Sequence, residues 1–272
     1  MNNIEQIKRN AKLIRKKVLD TCYQSSAGHI GGSLSSVDIL NVLYNSVMDI
    51  EPSDPNNEER DRFVLSKGHI AESLFCTLAI RGYFSVEELN NFSCFGSKYI
   101  GHPNNKISGI EMNTGALGHG LSVALGMAIA AKQDEKSYYT YVLMGDGELA
   151  EGSVWEAAMA ASHYKLDNLI AIIDRNGLQI SGSTEEVMAL EKLQDKWEAF
   201  GFHVLNVDGH DYEKLLHAFN EAKTITGKPI VIIANTIKGK GVSFMENDAH
   251  WHHGIMSESQ YQQAISEVEG MK

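Results

Sequence analysis

Cysteine is scarce: Cys22, Cys76 and Cys94 are the three in 272 residues, odd in number and without a CxxC spacing. That excludes a disulfide framework and argues against a thiolate metal site. Proline is nearly as rare, at four residues, and no internal repeat or low-complexity linker divides the chain. Positive charge is short as well. Lys plus Arg number 24 against 35 Asp plus Glu, a net charge of −11. A chain of that balance lacks the basic face that displaces counterions from nucleic acid. No apolar run approaches 18 residues, so no membrane span is expected. The N-terminal segment MNNIEQIKRNAKLIRKK has no apolar signal-peptide stretch, and a cytoplasmic protein is the expectation. The dinucleotide fingerprint G-x-G-x-x-G is absent too. The glycine- and alanine-rich stretch 118–131 reads instead as close helix packing. Against these absences stand 43% hydrophobic and 22% charged residues, enough for a sizeable core in one domain spanning 1–272.

Apolar residues recur at Ile4, Ile7, Ala11, Ile14, Val18 and Cys22, the spacing of one helical face. Lys8, Arg9, Lys12, Arg15, Lys16 and Lys17 occupy the other, read as a solvated basic face. A second helix is expected from Ser35 or Ser36 to about Met48, then an exposed polar loop, EPSDPNNEERDR. Beyond it, β-prone runs alternate with helical stretches. Strands are expected at Arg62–Leu65, Tyr139–Met144, Leu169–Asp174, His203–Val207 and Ile230–Asn235. Helices are expected near Ile70–Arg81, Gly118–Lys132, Ser153–Tyr164, Leu190–Phe200 and Tyr212–Thr226. The alternation predicts an α/β fold: a mainly parallel sheet with helices on both faces. Such sheets bind ligands beyond the carboxyl ends of their strands.

Two strand ends carry unusual residues. TYVLMGDGELAEG ends in Gly145-Asp146-Gly147, and NLIAIID runs into Arg175-Asn176-Gly177-Leu178. Each fragment alone is a common turn. Together, thirty residues apart with one βα unit between them, they predict a carboxylate and an amide on one rim. With a backbone carbonyl they suit a hard cation such as Mg²⁺ that keeps positions open for phosphate oxygens. The glycines let backbone N–H groups approach an anion.

This pair resembles the thiamine-diphosphate signature. SAGHIGGSLS (26–35), DRFVLSKGHI (61–70), GHP (101–103), TGALGHGLSVALGMA (114–128), GDGELAEG (145–152) and KGKG through WHHG (238–254) resemble the transketolase family. They stand in family order and cover the family's N-terminal, diphosphate-binding half. The resemblance implies Asp146, Asn176 and the Leu178 carbonyl as Mg²⁺ ligands, with Ca²⁺ or Mn²⁺ as substitutes. It implies Gly115, Leu117 and Gly147 as cofactor contacts, and His69, Lys67, Lys238 and His253 around the diphosphate and sugar. His29 and His102 match histidines that touch donor hydroxyls or carry protons. Glu151 matches a glutamate at the dimer interface. The family often has proline where Ile30 and Ala116 stand. His250 and His252 neighbour His253, and the assignment within HWHH is open between them. His163, His203, His210 and His217 lack motif support and are read as packing or surface residues, and the three tryptophans as packing anchors.

The resemblance implies transfer of a two-carbon ketol unit from a ketose phosphate to an aldose phosphate, in pentose phosphate metabolism. It also implies a missing half. The family's activating glutamate and its aminopyrimidine pocket belong to the pyrimidine-binding half, so the expected partner is a C-terminal transketolase subunit in a heterotetramer of two plus two. Two alternatives stand beside this reading. A deoxyxylulose-phosphate synthase usually reads Gly-His-Gln where this chain has Gly68-His69-Ile70. A non-catalytic regulatory domain would not need His29, His69, His102 and Glu151.

Overall fold

The computed structural model describes residues 4–271; residues 1–3 and 272 of the expected single domain lie outside them. Its strands are β1 (Arg62–Leu65), β2 (Thr140–Gly145), β3 (Leu169–Arg175), β4 (Leu178–Gln179), β5 (Gly182–Ser183), β6 (His203–Asp208) and β7 (Ile230–Asn235). Its α-helices are α1 (Ile4–Ser25), α2 (Ile30–Val42), α3 (Ala71–Arg81), α4 (Gly120–Gln133), α5 (Gly152–His163), α6 (Thr184–Val187), α7 (Leu193–Ala199), α8 (Tyr212–Ala222) and α9 (Glu258–Gly270). All five predicted strands form, and they join in one parallel sheet ordered β1-β2-β3-β7-β6, while β4 and β5 make a separate antiparallel hairpin.

The sheet is covered on both faces, as its apolar strands require. Successive strand side chains point to opposite sides. Tyr141 and Leu143 join the core formed with α2, α3 and α8, whereas Val142 and Met144 join that formed with α4, α5 and α7. A third apolar cluster packs α1 and α9 against the outside of α2 and α3.

Three departures from expectation stand out. Helix α2 starts at Ile30, five residues before Ser35, and passes at Leu43 into a π-helical turn. Its thirteen residues are all buried, so no amphipathic period marks it. Ser33, Ser35 and Ser36 do not cap it; their hydroxyls bond the buried carboxylates of Glu72 and Asp174. Arg15 departs from the solvated basic face: it is 1% exposed and forms a two-pronged pair with Asp38. The helix α9 was not expected. It opens on a capping box in which Ser257 and Gln260 bond each other's backbone N–H. In the first two cases a buried polar group takes a partner that lies far away in sequence, whereas α9 is capped locally by Ser257 and Gln260 at the surface. Trp197 and Trp251 are buried and Trp155 packs on Trp197 and Phe200, as anchors should.

Candidate functional site

Strands β2 and β3 are neighbours in parallel register, with Gly145 opposite Asp174. Asp146 and Asn176 therefore emerge side by side at the carboxyl rim. A cavity of about 420 Å³ opens there. It is lined by His29, Lys67, His69, Gly115, Leu117, Asp146, Gly147, Asn176, Leu178, Lys238 and His253 among the predicted residues. Glu148, Gln179, Ile180, Ser181 and His252 line it as well. That volume lies in the range of small-molecule sites.

Each wall is held by a carboxylate. Asp146 accepts the N–H groups of Gly147 at 2.8 Å and Gly177 at 2.6 Å, tying the two strand ends together. Burial pushes its carboxyl pKa up, and the nearby Asp174 adds to the rise. Asp174, 0% exposed, accepts from Ser35, Ser36, Thr236 and the Lys67 ammonium. Burial opposes its charge, but Lys67 and the hydroxyls outweigh burial and hold it well below the usual carboxylate range. It also takes the Asn176 amide N–H at 3.3 Å, which fixes the side chain so that Oδ1 accepts the Leu178 N–H at 3.1 Å and keeps its second lone pair. Glu148 accepts from Gly118 at 2.8 Å and Gly145 at 3.0 Å, and from Ser66. It joins the loop before α4 to the end of β2.

The opposite wall is imidazole. The His29 ring lies 3.9 Å from that of His253, 5.0 Å from His69 and 5.3 Å from His252, centroid to centroid. Burial lowers the pKa of His29 to about 4, with His253 and His102 adding repulsion. Burial lowers His252 to about 3 and His69 to about 2, the latter helped by Lys67. These three rings are neutral at pH 7. Lys238, 2% exposed, donates to Nδ1 of His252 at 3.3 Å. Burial brings its ammonium down to about 8, and Lys67 contributes. The backbone N–H of His29 donates at 2.6 Å to Glu72, whose side chain is 0% exposed and whose own pKa burial raises.

Two predicted residues lie apart from the lining. His102 is exposed, its ring against Gly115; a Cβ at that glycine, where φ is +138°, would stand 2.4 Å from the ring. Glu151 is exposed at the start of α5, its side chain against Gly118. The HWHH segment places His252 and His253 at the cavity and leaves His250 out of its lining. Sequence reading missed Glu72, Glu148 and Asp174, and it had left His252 open beside His253. Asp174 at the end of LIAIID and Glu72 within AESLFCTLAI carried a signal, since a carboxylate in an otherwise apolar run must find buried partners.

The residues fit a diphosphate held through a divalent cation. Among the described residues no cluster of three His, Cys, Asp or Glu side chains suits a metal, but an amide, a carbonyl and one carboxylate leave room for phosphate oxygens. Gly147 admits close approach, since a Cβ there would meet the Gln179 side chain at 2.6 Å. Buried Nδ1 of His29, a residue of the lining, has no protein partner and offers a polar contact to an occupant.

Comparison with known proteins bears on the family of the chain and its cofactor. Residues 6–271 match the family described as transketolase, thiamine diphosphate binding domain. One subunit of the apulose-4-phosphate transketolase of Phocaeicola vulgatus is 51% identical over 265 residues, covering 97% of this chain and 94% of that protein. The 6-deoxy-6-sulfo-D-fructose transketolase subunit SqwG of a Clostridium species is 44% identical, covering 97% and 96%. Among solved structures, transketolase from Campylobacter jejuni superposes with a TM-score of 0.93 at 36% identity. That match covers 98% of this chain but only 43% of the Campylobacter chain.

Proposed function

Since the chain belongs to the transketolase family, through its thiamine-diphosphate-binding domain, we propose that it is the diphosphate-binding subunit of a two-chain transketolase. In this reading the whole chain is one domain. The supporting observation is the meeting of Asp146, Asn176 and Leu178 with His29, His69, Lys238 and His253 in a single cavity at the strand ends. Side-chain oxygens of Asp146 and Asn176 and the carbonyl of Leu178 would hold Mg²⁺. Bound thiamine diphosphate supplies the carbanion-stabilising chemistry that cleaves and remakes the bond to a two-carbon ketol unit. The chain's own groups bind, orient and carry protons. Lys238 meets the diphosphate, which the lack of a side chain at Gly147 lets come close, and neutral His29, with His253 beside it, takes or gives a proton at the sugar hydroxyls. His102 sits at the rim as a further proton carrier.

The substrates are a ketose phosphate donor and an aldose phosphate acceptor. Two relatives bear names for apulose 4-phosphate and a sulfonated fructose, which extends the proposed donors beyond the pentose phosphates. Both relatives are named as subunits, which supports a partner chain carrying the pyrimidine-binding half. Apolar Met159, Ile180, Met188 and Ile255 stand exposed, as surfaces awaiting a partner do. We place two copies of this chain with two of the partner, with Glu151 at the contact between copies, in the cytoplasm. Among the described residues no helix is long and apolar enough to cross a membrane. The test is reconstitution. Purified alone, the chain binds thiamine diphosphate weakly and transfers no ketol unit; mixed with the partner, it does both. Robust turnover by this chain, shown by mass spectrometry to lack a second subunit, overturns the split-subunit reading.

A further inference from the structure

His210, read from sequence as a packing residue, bonds at both ends. Its Nδ1 lies 2.8 Å from Oδ2 of Asp38, and its Nε2 lies 2.8 Å from the backbone N of Ile237. A backbone N–H can only donate, so Nε2 accepts and the ring proton sits on Nδ1, pointing at the carboxylate. Asp38 is 2% exposed. It is held ionised by Arg15, whose two guanidinium nitrogens reach it at 2.9 and 2.5 Å, and it also accepts from Tyr212 at 2.8 Å. Asp38 therefore fixes both the orientation and the tautomer of His210.

The residue after Ile237 is Lys238. The same segment is clamped twice more. The Gly239 N–H donates to the Gly31 carbonyl at 2.8 Å, and Nε of Arg15 donates to the Lys240 carbonyl at 3.3 Å. Lys238 thus has a hydrogen-bonded neighbour on either side, and its stem rises past Gly31, where an added Cβ would stand 3.2 Å from Cγ. Helix α1, helix α2, the turn before α8 and the segment after β7 all converge on this one point. A lysine on a free loop would lose side-chain and backbone freedom on meeting an anion; one already held loses less.

We propose that His210 is a positioning residue for Lys238: charged Asp38 orients the ring, whose Nε2 anchors the Ile237 amide and holds the lysine at the anion-binding end of the cavity. The inference rests on the reading of Lys238 as a diphosphate contact. His210 itself is outside the cavity lining.

The test uses the assembled enzyme, this chain with the subunit that restores turnover, titrated calorimetrically with thiamine diphosphate at saturating Mg²⁺. Lys238→Ala establishes what the lysine contributes, expected at about 10- to 100-fold in affinity for a hydrogen bond to a charged group. His210→Asn keeps an amide N–H where Nδ1 stands, so Asp38 stays satisfied, but removes the Nε2 acceptor. It weakens binding in the same direction, and it adds nothing when combined with Lys238→Ala. Tyr212→Phe removes a different bond to Asp38 and leaves affinity unchanged. Hydrogen exchange of the peptide spanning 236–241 quickens in His210→Asn and not in Tyr212→Phe. Wild-type affinity in His210→Asn beside a weakened Lys238→Ala overturns the positioning role and spares the lysine. Wild-type affinity in Lys238→Ala removes the lysine reading itself. Equal weakening by Tyr212→Phe, or additive losses in the double variant, reduces the effect to general loosening around Asp38 and overturns the inference.

Discussion

Breaking the Lys67–Asp174 pair should damage the fold unequally from its two sides. Lys67 is 2% exposed and Asp174 0%, so neither charge is stabilised by water once its partner is gone. Removal of one member of a buried pair costs about 3–5 kcal/mol, mostly the cost of the orphaned charge. The surroundings decide where in that range each variant falls. In Lys67→Met, Asp174 keeps donors from Ser35, Ser36, Thr236 and Asn176, which places the loss near about 3 kcal/mol. In Asp174→Ala, Lys67 keeps only the Gly32 carbonyl at 3.4 Å and the Ser36 hydroxyl at 3.3 Å. Its loss lies near about 5 kcal/mol. At roughly 2–4 °C per kcal/mol for a chain of this size, the Tm falls by about 6–12 °C and 10–20 °C. Urea denaturation followed by circular dichroism measures both, together with the double variant Lys67→Met/Asp174→Leu, whose loss is less than the sum. The two singles also separate at the site. Asp174→Ala releases the Asn176 amide and lowers Mg²⁺ affinity, whereas Lys67→Met keeps that anchor. Losses below about 1 kcal/mol in both variants, the range of exposed pairs, would refute the buried-pair reasoning.

Asp146→Ala and Asn176→Ala each abolish Mg²⁺-dependent binding of thiamine diphosphate while the fold survives; calorimetry showing unchanged affinity in both removes the metal assignment. His29→Ala and His253→Ala slow turnover by about 10²–10⁴ and leave cofactor affinity largely intact, and steady-state rates near wild type in both exclude a proton-transfer role. The chain loses stability as pH falls below about 6.5. His29 titrates near 4, His252 near 3 and His69 near 2 when folded, but near 6.5 when unfolded. The unfolded state therefore binds more protons in this window. Each ring adds at most about 1.4 kcal/mol per pH unit, reduced by solvent screening at these partly exposed positions. Urea midpoints that stay flat between pH 7 and 4.5 count against neutral rings.

The fold was legible where short apolar runs ended sharply on polar residues. Every strand of the sheet was located to within a residue or so, because runs such as LIAIID and IVIIAN are β-branched, apolar and bounded by polar residues. The fully buried α2 was misplaced because a helix surrounded by core shows no polar face to read. Helix α9 had a readable signal in Tyr261, Ala264, Ile265 and Val268, at one-face spacing behind a capping serine. The site divides similarly. Asp146, Asn176, His69 and Lys238 were found through motifs. Glu72, Glu148 and Asp174 were not, because their partners are 39 to 139 residues away in the cases of Ser33, Ser66 and Ser35. What sequence spacing marks is the residue that faces the ligand; the residue that holds it in place is marked only by the fold.

That division explains how a chain of net charge −11 comes to hold an anion site. Buried carboxylates and cations alternate through the network. Asp38 takes Arg15, Asp174 takes Lys67, Glu148 is satisfied by N–H and O–H donors rather than by a cation, and Glu72 takes such donors on one oxygen only. Of the buried lysines at the cavity, Lys67 is therefore committed to Asp174, while Lys238 meets only a neutral imidazole. A lysine whose pKa has been lowered to about 8 by burial gains most from an incoming diphosphate, since the anion offsets the cost of its charge. A cation at Asp146 adds to the one partial counter-charge that carboxylate has, Arg175 at 3.2 Å, which is shared with Glu185 and Glu191. Lys238 lacks a counter-charge and Asp146 has only part of one, and the two deficits are opposite in sign. A magnesium diphosphate supplies both at once. Either component alone leaves one wall under-compensated, so Mg²⁺ and the diphosphate should bind with mutual dependence.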